Sequence, residues 1–411
     1  MDSFDVAVIG SGALGASAAF HLAKAGKKVA LLDKAEIASQ TSPRAAGLSG
    51  QVRQSELMTQ LAVRSVEKIE RFTDETGEPM VFYQPGSMSI ARLPEHEEFL
   101  RQRVLLGKKF GLDVDLIRPE EACERMPFLQ NKSIVAVSHM RRDVYLEPRQ
   151  MPLGYATAAQ KLGATLMPNT CVSEIVLEDN TVKRVTTDKG EIAAGAVLDA
   201  AGGWLRLVAS LAGVRVPVVP MRHQLMVTVP LDGVANTQPV TRILDANVYV
   251  RPDRGGLMFG GYERNPTPYD MSSQSADFRI EDLDLDIEVL RRLADMVAEQ
   301  FPIFQAAEIA EHRGGLPTMT IDGDHVLGRA PGVEGLYVLG GCNVGGLSIA
   351  PALGEEISRL IVEGKTHHDL ARMSPARFTG ELSETELLEK CTQRYINYYT
   401  YRFNDQFTAA A

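Results

Sequence analysis

Cysteine is scarce in this sequence, and long apolar runs are missing from it. The four cysteines of the 411-residue chain lie far apart and form no C-x-x-C pair. This spacing suggests neither a disulfide framework nor a cysteine zinc site, and it predicts buried thiols. No apolar run approaches the length of a membrane span. Strand-like residues begin almost at the N-terminus, without the charged and apolar regions of a signal peptide, so we expect a cytoplasmic location.

The sequence also has no excess of basic charge and no metal-ligand spacing among its histidines. The formal net charge is −10, and we expect no nucleic-acid partner because neutralising phosphates requires a basic face. The eight histidines show no H-E-x-x-H or similar spacing, so no metal site is predicted. Hydrophobic content of 45% and charged content of 23% are ordinary for a soluble globular protein. A chain of this length is expected to form two or three domains.

The sequence does contain a dinucleotide-binding fingerprint at its start. The apolar run 5–9 leads into a G-x-G-x-x-G turn at 10–15, an alanine-rich helical stretch and a second apolar run, 29–32, that ends at Asp33. This order of strand, glycine turn, helix and strand with a terminal acid is the context that the motif requires. Asp33 is predicted to accept hydrogen bonds from both ribose hydroxyls. It disfavours NADP because it would repel a 2′-phosphate.

The three glycines of this turn have separate physical roles. Gly10 permits the sharp turn, Gly12 lets the backbone approach a pyrophosphate, and Gly15 lets the helix lie close to the strand. The helix N-terminus then offers N–H groups and the positive end of its dipole to the phosphates. The fingerprint taken alone fits either NAD or FAD.

Two later strands also end in glycines. Residues 181–187 are predicted to pair with 191–193, and 196–204 to form a buried strand that ends in a glycine turn. Residues 335–346 form another strand followed by glycines, and 347–363 a helix. Strand tips that carry glycines indicate further points at which the backbone approaches a cofactor.

The middle of the chain has a different character. Residues 34–54 are rich in small side chains and predict a loop that passes a ligand. Helices are expected over 55–77 and 286–301 from their apolar spacing. The stretches 78–147 and 214–321 are strand-rich and lack a β-α-β rhythm, so they predict a second domain built largely from antiparallel strands.

Four separated stretches together resemble the D-amino-acid oxidase superfamily of flavoproteins. They are the N-terminal fingerprint, residues 197–204 with 216–224, residues 248–252 with 255–262, and residues 315–322 with 325–346. The resemblance extends over residues 4–364 and is to the branch of sarcosine, dimethylglycine and glycine oxidases or dehydrogenases. It implies FAD and an α/β fold. In that fold a Rossmann-like FAD-binding domain is interleaved with an α+β substrate domain on a mixed, largely antiparallel sheet.

The resemblance also assigns parts of the chain to each domain. The FAD-binding domain is expected at 1–77, 148–213 and 322–365, the substrate domain at 78–147 and 214–321, and a C-terminal tail or packing arm at 366–411. The residues expected to bind FAD lie at strand tips, helix N-termini and small-residue loops; they are Gly10, Gly12, Ala13, Leu14, Gly15, Asp33, Lys34, Thr41, Ser42, Arg44, Ala45, Ala46, Gly47, Leu48, Cys171, Val172, Ala201, Gly202, Trp204, Gly315, Gly341, Asn343, Val344, Gly345, Gly346, Leu347 and Ser348.

Departures from the family pattern predict that FAD is bound non-covalently. Dimethylglycine dehydrogenase-like proteins bond the flavin through a histidine, and Arg44 stands at that place. A guanidinium is a poor nucleophile, and Arg44 is instead expected near the isoalloxazine. Monomeric sarcosine oxidases use a cysteine before a Thr-Met-Thr-like segment, where this sequence has Gly315. We disfavour Cys342 as another attachment point. Ser348 replaces a lysine that holds the substrate carboxylate in those oxidases, so another group holds it or the substrate differs.

His223 and Tyr249 match substrate-facing positions of the family and are the predicted catalytic residues. His223 is expected to accept the amine proton or to orient the substrate, and the alternative is a histidine bonded within the sheet. The Tyr249 hydroxyl is expected to bond a carboxylate or an amine, and the alternative is a core aromatic residue. Arg53, Arg251 and Tyr262 are the predicted substrate-binding residues, since arginine recognises carboxylates with two parallel hydrogen bonds.

These residues predict FAD-dependent oxidation of the C–N bond of a small amine, an N-substituted (secondary or tertiary) amino acid. A hydride passes to flavin N5 and leaves an imine that hydrolyses. Oxygen or an electron carrier is the expected acceptor, and the sequence does not separate oxidase from dehydrogenase. One alternative is oxidation of a D-amino acid, hydroxyproline or an opine. Another is a non-catalytic flavin-binding subunit or assembly factor. A third, an NAD-dependent dehydrogenase, would account for the first motif and leave the other three unexplained.

The C-terminal tail carries an aromatic cluster beyond the family core. Its members are Tyr395, Tyr398, Tyr399, Tyr401 and Phe403. We interpret it as a packing arm or a contact within a homo-oligomer or with another subunit, and not as a catalytic element.

Overall fold

The computed structural model describes residues 2–380 and 382–400. The α-helices are α1 (Ala13–Lys24), α2 (Glu56–Glu70), α3 (Phe72–Thr76), α4 (Pro94–Lys109), α5 (Pro119–Arg125), α6 (Gln150–Lys161), α7 (Leu205–Ser210), α8 (Ile287–Asp295), α9 (Gly346–Glu363) and α10 (Glu384–Ile396). Tyr401 and Phe403 of the predicted aromatic cluster lie outside the described residues.

The strands alternate with these helices along the whole chain. They are β1 (Asp2–Ile9), β2 (Val29–Leu32), β3 (Leu48–Ser49), β4 (Phe82–Tyr83), β5 (Ser87–Ala91), β6 (Val114–Ile117), β7 (Ala136–Met140), β8 (Val144–Leu146), β9 (Thr165–Met167), β10 (Val172–Glu178), β11 (Thr181–Thr187), β12 (Gly190–Asp199), β13 (Val218–Pro220), β14 (His223–Thr228), β15 (Val240–Ile243), β16 (Val248–Asp253), β17 (Gly256–Gly261), β18 (Ile309–Gly315), β19 (Thr318–Thr320), β20 (Val326–Arg329) and β21 (Leu336–Gly340).

The first large sheet is centred on β1. This strand pairs in parallel with β2 on one side and β12 on the other, and β12 pairs in parallel with β21. Strand β9 extends the sheet beyond β2, and the antiparallel strands β10, β11 and β20 complete it. Its members therefore come from three separate parts of the chain, near residues 2–32, 165–199 and 326–340.

Helices cover this sheet because its central strands are apolar on both faces, as is typical of parallel sheets. Helix α1 packs against both α6 and α9. The core between these helices and the sheet contains Phe20, Leu22, Tyr155 and Leu353, each of which is almost completely buried. The close contact of α1 with α9 joins the two ends of the fold, so the N-terminal turn and the glycines before α9 lie in one half of the molecule.

The second large sheet has the order β18-β14-β17-β16-β15-β5-β7-β6. All its pairs are antiparallel except β15 with β5. One face packs against α8 and the following turns, with Phe259, Leu290 and Phe301 fully buried between them. A parallel-centred sheet beside a mixed, largely antiparallel one is the predicted fold class, which is confirmed, and the domain boundaries stay a prediction.

Several local predictions were wrong in detail. The helix expected over 55–77 is two helices that meet at Arg71, which caps both. The strand pieces 191–193 and 196–200 form one strand, β12, because a single ladder with β1 spans both. The helix expected over 286–301 ends at Asp295. Cys171 is exposed, so the prediction of a buried thiol is wrong there; Cys391 is buried.

In the described part of the chain, no helix combines the length and the apolar character needed to cross a membrane.

Candidate active site

The predicted nucleotide turn joins β1 to α1 and leaves no room for larger side chains. Gly10 has φ +102°, a conformation that L side chains rarely adopt, and a Cβ there would lie 2.5 Å from the Ala200 carbonyl oxygen. A Cβ on Gly15 would lie 1.9 Å from the Gly10 carbonyl oxygen. The helix thus lies directly on the strand, and the glycine-bearing tip of β12 lies directly against the turn.

The start of α1 fits a bound phosphate. Gly12 is the N-cap and supplies no side-chain cap, and the nearest atom to a Cβ there would be the Ser42 hydroxyl oxygen at 3.1 Å. The Ser42 hydroxyl oxygen accepts a hydrogen bond from the Ala13 N–H at 3.0 Å. Backbone N–H groups, a helix dipole and a hydroxyl therefore meet at one point, as a pyrophosphate requires.

Asp33 follows β2 and is buried. One carboxylate oxygen accepts hydrogen bonds from the Ser11 N–H at 2.8 Å and from the Ser11 hydroxyl at 2.6 Å. The other accepts from the Ala35 N–H at 2.9 Å. Burial raises the pKa of Asp33, while the hydrogen bonds from Ser11 and Ala35 act in the opposite direction. The oxygen that accepts only from Ala35 retains acceptor capacity for a ribose hydroxyl, so the site fits the adenosine end of FAD.

Other predicted contacts of the adenosine end lie around Asp33. The Lys34 ammonium lies 4.7 Å from the centre of the Trp204 ring and donates to the carbonyl oxygens of Ala276 and Phe278. The Thr170 N–H donates to the Asp33 carbonyl oxygen at 2.7 Å, immediately before Cys171. The structure thus brings the predicted residues of β2, β10 and the tip of β12 to one edge of the first sheet.

A cavity of 410 Å³ lies between the start of α9 and the second sheet. The residues predicted for FAD, substrate or catalysis that line it are Thr41, Arg44, Ala45, Ala46, Gly47, Leu48, Arg53, His223, Tyr249, Tyr262, Gly315, Asn343, Val344, Gly345, Leu347 and Ser348. The fingerprint residues 10–15 lie outside this lining. The cavity therefore corresponds to the flavin and substrate end of the predicted site.

The loop before α9 is conformationally strained where it meets the cavity. Val344 has φ +64° and Asn343 has φ +43°, a region in which a β-branched residue is rare. The Asn343 amide holds this conformation through hydrogen bonds to Thr320 and to the Gly341 carbonyl oxygen. Strained backbone persists where surrounding contacts fix it and is common at ligand sites.

His223 is half-buried in the cavity wall and hydrogen-bonded on both ring nitrogens. Its Nδ1 lies 2.8 Å from the Tyr395 hydroxyl oxygen, and its Nε2 lies 3.1 Å from the Tyr249 hydroxyl oxygen. The Tyr395 hydroxyl also lies 3.1 Å from the Arg222 carbonyl oxygen, which can only accept. Tyr395 therefore donates to Arg222 and accepts from His223 Nδ1–H, so Nε2 accepts from Tyr249. Burial lowers the pKa of His223 to about 4.

The C-terminal segment contributes to the same cavity. The ring of Tyr262 stacks on that of Tyr398, with centroids 4.2 Å apart and planes 10° apart, and lies 4.8 Å from the His223 ring. Tyr398 and Tyr399 line the cavity. From the sequence, these tyrosines were predicted to be members of a packing arm or subunit contact, and they were not placed at the cavity.

The two predicted arginines differ in their surroundings. Arg53 lines the cavity, and its Nη2 donates to the Ser348 hydroxyl oxygen at 2.8 Å. Arg251 is buried outside the lining, where it donates to the Ala46 carbonyl oxygen at 2.7 Å and to an Asp253 carboxylate oxygen at 3.0 Å. The structure does not bring Arg251 to the cavity, and Asp253 neutralises its charge.

Arg44 lies beside the cavity with its charge partly compensated. Its guanidinium donates to the carbonyl oxygens of Ser39 and Gln40 and lies 3.8 Å from a Glu281 carboxylate oxygen. Burial lowers its pKa, which stays far above neutrality for a guanidinium. The group is therefore a fixed cation at the flavin end of the predicted site.

Comparison with known proteins identifies the family of this chain. A family described as FAD dependent oxidoreductase matches residues 5–360. Dimethylglycine dehydrogenase of Rattus norvegicus is 29% identical over 94% of this chain and 46% of its own length. Sarcosine dehydrogenase of Homo sapiens is 29% identical over 97% of this chain and 44% of its own length. The chain thus spans about half the length of these two relatives.

A solved structure shows the same fold over nearly the whole chain. L-proline dehydrogenase from P. horikoshii superposes with a TM-score of 0.83 at 27% identity, covering 92% of this chain and 98% of its own.

Proposed function

Since the chain belongs to the FAD-dependent oxidoreductase family, we propose that it oxidises the C–N bond of a small N-substituted amino acid. FAD is the cofactor of this family, and when bound it accepts the hydride from the carbon next to nitrogen. The observation that supports the proposal is the pairing of His223 with Tyr249 in a cavity that also contains Arg53.

The named substrates of the relatives share one chemical feature. Dimethylglycine, sarcosine and proline are amino acids whose nitrogen carries a further carbon substituent. A secondary or tertiary amine next to a carboxylate is therefore the substrate class that we assign to this chain. The alternatives (a D-amino acid, hydroxyproline or an opine) keep the same reacting bond and differ in the groups around it.

His223 and Tyr249 suit the orientation of the substrate nitrogen in its neutral form. The amine has to be neutral before a hydride leaves its α-carbon. The Tyr249 hydroxyl donates to His223 Nε2, so its oxygen is free to accept from an ammonium in the cavity. His223 is neutral at physiological pH because burial lowers its pKa to about 4. The excess of arginine side chains in the cavity lining further disfavours the charged amine, because like charges repel.

Arg53 is the proposed anchor of the substrate carboxylate. Its guanidinium lines the cavity and is held against Ser348 at the start of α9. Ser348 in turn donates to the Gly345 carbonyl oxygen at 2.9 Å. The arginine is thus positioned on a rigid helix end, and a charged hydrogen bond to a carboxylate orients the α-carbon.

We propose that FAD is bound non-covalently, because Arg44 and Gly315 stand where related proteins have the histidine or cysteine that bonds the flavin. A Cβ at Gly315 would lie 2.8 Å from a Thr41 side-chain carbon, so a cysteine at this position needs Thr41 to move. Cys342 is half-buried and lies outside the cavity lining.

The cytoplasmic location also stays a prediction, and cell fractionation with an antibody to the chain tests it.

An anaerobic flavin-reduction screen tests the proposed function. Purified, FAD-loaded protein is mixed with N-methyl, N,N-dimethyl and cyclic secondary amino acids, and loss of the flavin absorbance band is followed. We expect at least one of these amines to bleach the band, and the corresponding primary L-amino acids to do so much more slowly. Readmission of air then separates an oxidase, which reoxidises at once, from a dehydrogenase. If none of these amines bleaches the band, the proposal is wrong; co-purification with a partner would then favour a flavin-binding subunit.

A further inference from the structure

Two more guanidinium groups line the cavity, and neither has a role in the chemistry above. Arg103 projects from α4 and Arg242 from β15. The Arg103 Nη2 donates to the Val52 carbonyl oxygen at 3.0 Å, and Val52 directly precedes Arg53 in the chain. Arg242 is hydrogen-bonded to the Tyr399 side chain. Burial lowers the pKa of Arg103 to about 10, and the charges of Arg242 and Arg53 act in the same direction.

Positive charge exceeds negative charge in this part of the cavity. The carboxylates among the described lining residues are Asp143 and Asp324. Asp324 lies 2.9 Å from an Arg372 guanidinium nitrogen and is therefore neutralised from outside. Asp143 accepts hydrogen bonds from the Gln51 N–H at 2.8 Å and the Ser87 hydroxyl at 2.5 Å. One carboxylate, Asp143, thus faces three guanidiniums, those of Arg53, Arg103 and Arg242.

This excess charge is separate from the phosphate site. The glycine turn that fits the pyrophosphate is outside the cavity lining, whereas the three arginines are inside it. Burying like charges together is unfavourable unless an anion joins them. The cavity is therefore complementary to a small molecule with two negative charges.

We propose that the substrate carries two ionised acidic groups, one held by Arg53 and the other by Arg103 together with Arg242. Resting on the proposed function, this makes the substrate class an N-substituted amino acid with an acidic side chain. Guanidinium pairs suit a carboxylate because their N–H groups match its two oxygens. The charge of Asp143 attracts both members of this pair, Arg242 and Arg103.

Binding of non-oxidisable acids to the FAD-loaded protein tests the proposal without turnover. Glutarate and pentanoate have chains of equal length and differ by one carboxylate, and each is titrated while the flavin absorbance spectrum is recorded. Charged hydrogen bonds are worth roughly 1.5–3 kcal/mol, so we expect glutarate to bind more than about tenfold tighter. Equal affinity of the two acids in the unaltered protein would overturn the proposal.

Variants then locate the second acid. In Arg103→Gln and Arg242→Gln the preference for glutarate is expected to disappear, while the Kd of pentanoate changes less than about twofold. Arg101→Gln is the matched control, because Arg101 lies on the same helix, is exposed and pairs with Glu97. A variant that weakens both acids equally would show a purely structural role for that arginine and contradict the assignment.

Flavin reduction by a matched pair of amines distinguishes failure of the second acidic subsite from failure of the proposed function. N-methylglutamate and N-methylnorvaline form the corresponding pair of amines, and we expect a kcat/KM at least tenfold higher for the first. If both reduce the flavin equally well, the second acidic subsite is wrong and the proposed function stands. If glutarate is preferred but no amine reduces the flavin, the proposed function is wrong and the subsite stands.

Discussion

The Tyr395 hydroxyl oxygen lies 2.8 Å from Nδ1 of His223, although 172 residues separate them in the chain. Tyr395 is buried and is carried by α10, which packs on β13 and β19. The same hydroxyl donates to the Arg222 carbonyl oxygen. One tyrosine at the end of the described chain thus fixes the tautomer of the predicted catalytic histidine, and its neighbours Tyr398 and Tyr399 close the cavity.

Replacement of Tyr395 by phenylalanine is expected to slow flavin reduction about tenfold. The change leaves His223 Nδ1–H and the Arg222 carbonyl oxygen without their partner, a cost of roughly 1–3 kcal/mol that randomises the orientation of the imidazole. The Kd of acetate, a non-oxidisable carboxylate held by Arg53, is expected to stay within about twofold. Stopped-flow reduction and an acetate titration measure the two effects.

Tyr398→Phe is the matched control for that variant. The ring of Tyr398 stacks on Tyr262 and is retained, so we expect wild-type rates. A loss of acetate affinity in Tyr395→Phe as large as its loss of rate would indicate collapse of the cavity and argue against an orienting role.

Replacement of Tyr249 by phenylalanine is expected to lower the rate of flavin reduction by about 10²-fold, within the range typical of a lost acid–base group. Its hydroxyl is the group between His223 Nε2 and the cavity. The flavin spectrum and FAD content should be unchanged, since the ring remains. Tyr83→Phe, at a half-exposed tyrosine on β4, serves as the control, and equal rates in the two variants would rule out a role for the Tyr249 hydroxyl.

Gly15→Ala is expected to abolish FAD binding while Gly203→Ala is tolerated. A Cβ at Gly15 would lie 1.9 Å from the Gly10 carbonyl oxygen, so α1 has to move off β1 and the phosphate site opens. A Cβ at Gly203 would meet nothing closer than 3.7 Å, although it lies in the neighbouring glycine turn. The ratio of flavin to protein absorbance after gel filtration measures both, with circular dichroism to confirm folding. Normal flavin content in Gly15→Ala would contradict the assigned role of the turn.

The free energy of unfolding is expected to fall as the pH falls from about 6.5 to 4. Burial lowers the pKa of several histidines; they are His21, His139 and His223, each to about 4, and His325, to about 3. Unfolded histidines titrate near 6.5, so the unfolded state binds more protons in this window and stability increases with pH through it. Each histidine contributes up to about 1.4 kcal/mol per pH unit to this slope. The contribution fades above pH 7, because the histidines of the unfolded state are then neutral as well.

His325→Gln is expected to reduce that slope, because neither His325 ring nitrogen has a hydrogen-bond partner among the described residues. His367→Gln, at an exposed histidine, should leave the slope unchanged. Urea titrations at several pH values and fixed excess FAD give the comparison. Parallel stability curves for all three proteins would show that His325 does not titrate in this way.

Denaturation is expected to release all the flavin. Arg44 and Gly315 stand where relatives of the predicted branch attach FAD, so trichloroacetic acid should leave the yellow colour in the supernatant. Flavin that stays with the precipitated polypeptide would contradict non-covalent binding, and mass spectrometry of its tryptic peptides would then identify the attachment residue.

The parts of the site that were predicted are encoded locally. The turn at 10–15 and Asp33 belong to one continuous β-α-β unit, in which the spacing alone fixes their relative positions. The position of the glycines after β21 was also predictable, because parallel strands present their C-terminal tips at one edge of the sheet. His223 and Tyr249 were predicted from the resemblance and remain predictions as catalytic residues; their pairing depends on β14 and β16 flanking the same strand, β17.

The parts that were missed depend on long-range packing. Arg251 was chosen for its residue type, but Asp253 lies two residues on along β16, on the same face, and neutralises it. Arg103 looks like Arg101 in the sequence, since both lie on one charged helix, and only the packing of α4 near Val52 places one of them in the cavity. Tyr395 reaches His223 through α10, whose position no local pattern indicates.

The pairing of β1 has a consequence for how the chain folds during synthesis. One edge of β1 pairs with β2, which follows within the same unit, but the other edge pairs with β12 at residues 190–199. Until the ribosome has made those residues, an apolar strand edge is without its partner and is open to association with other chains. Long-range parallel pairing is also slow to form. Nascent chains that end before residue 199 are thus the species that most need a chaperone.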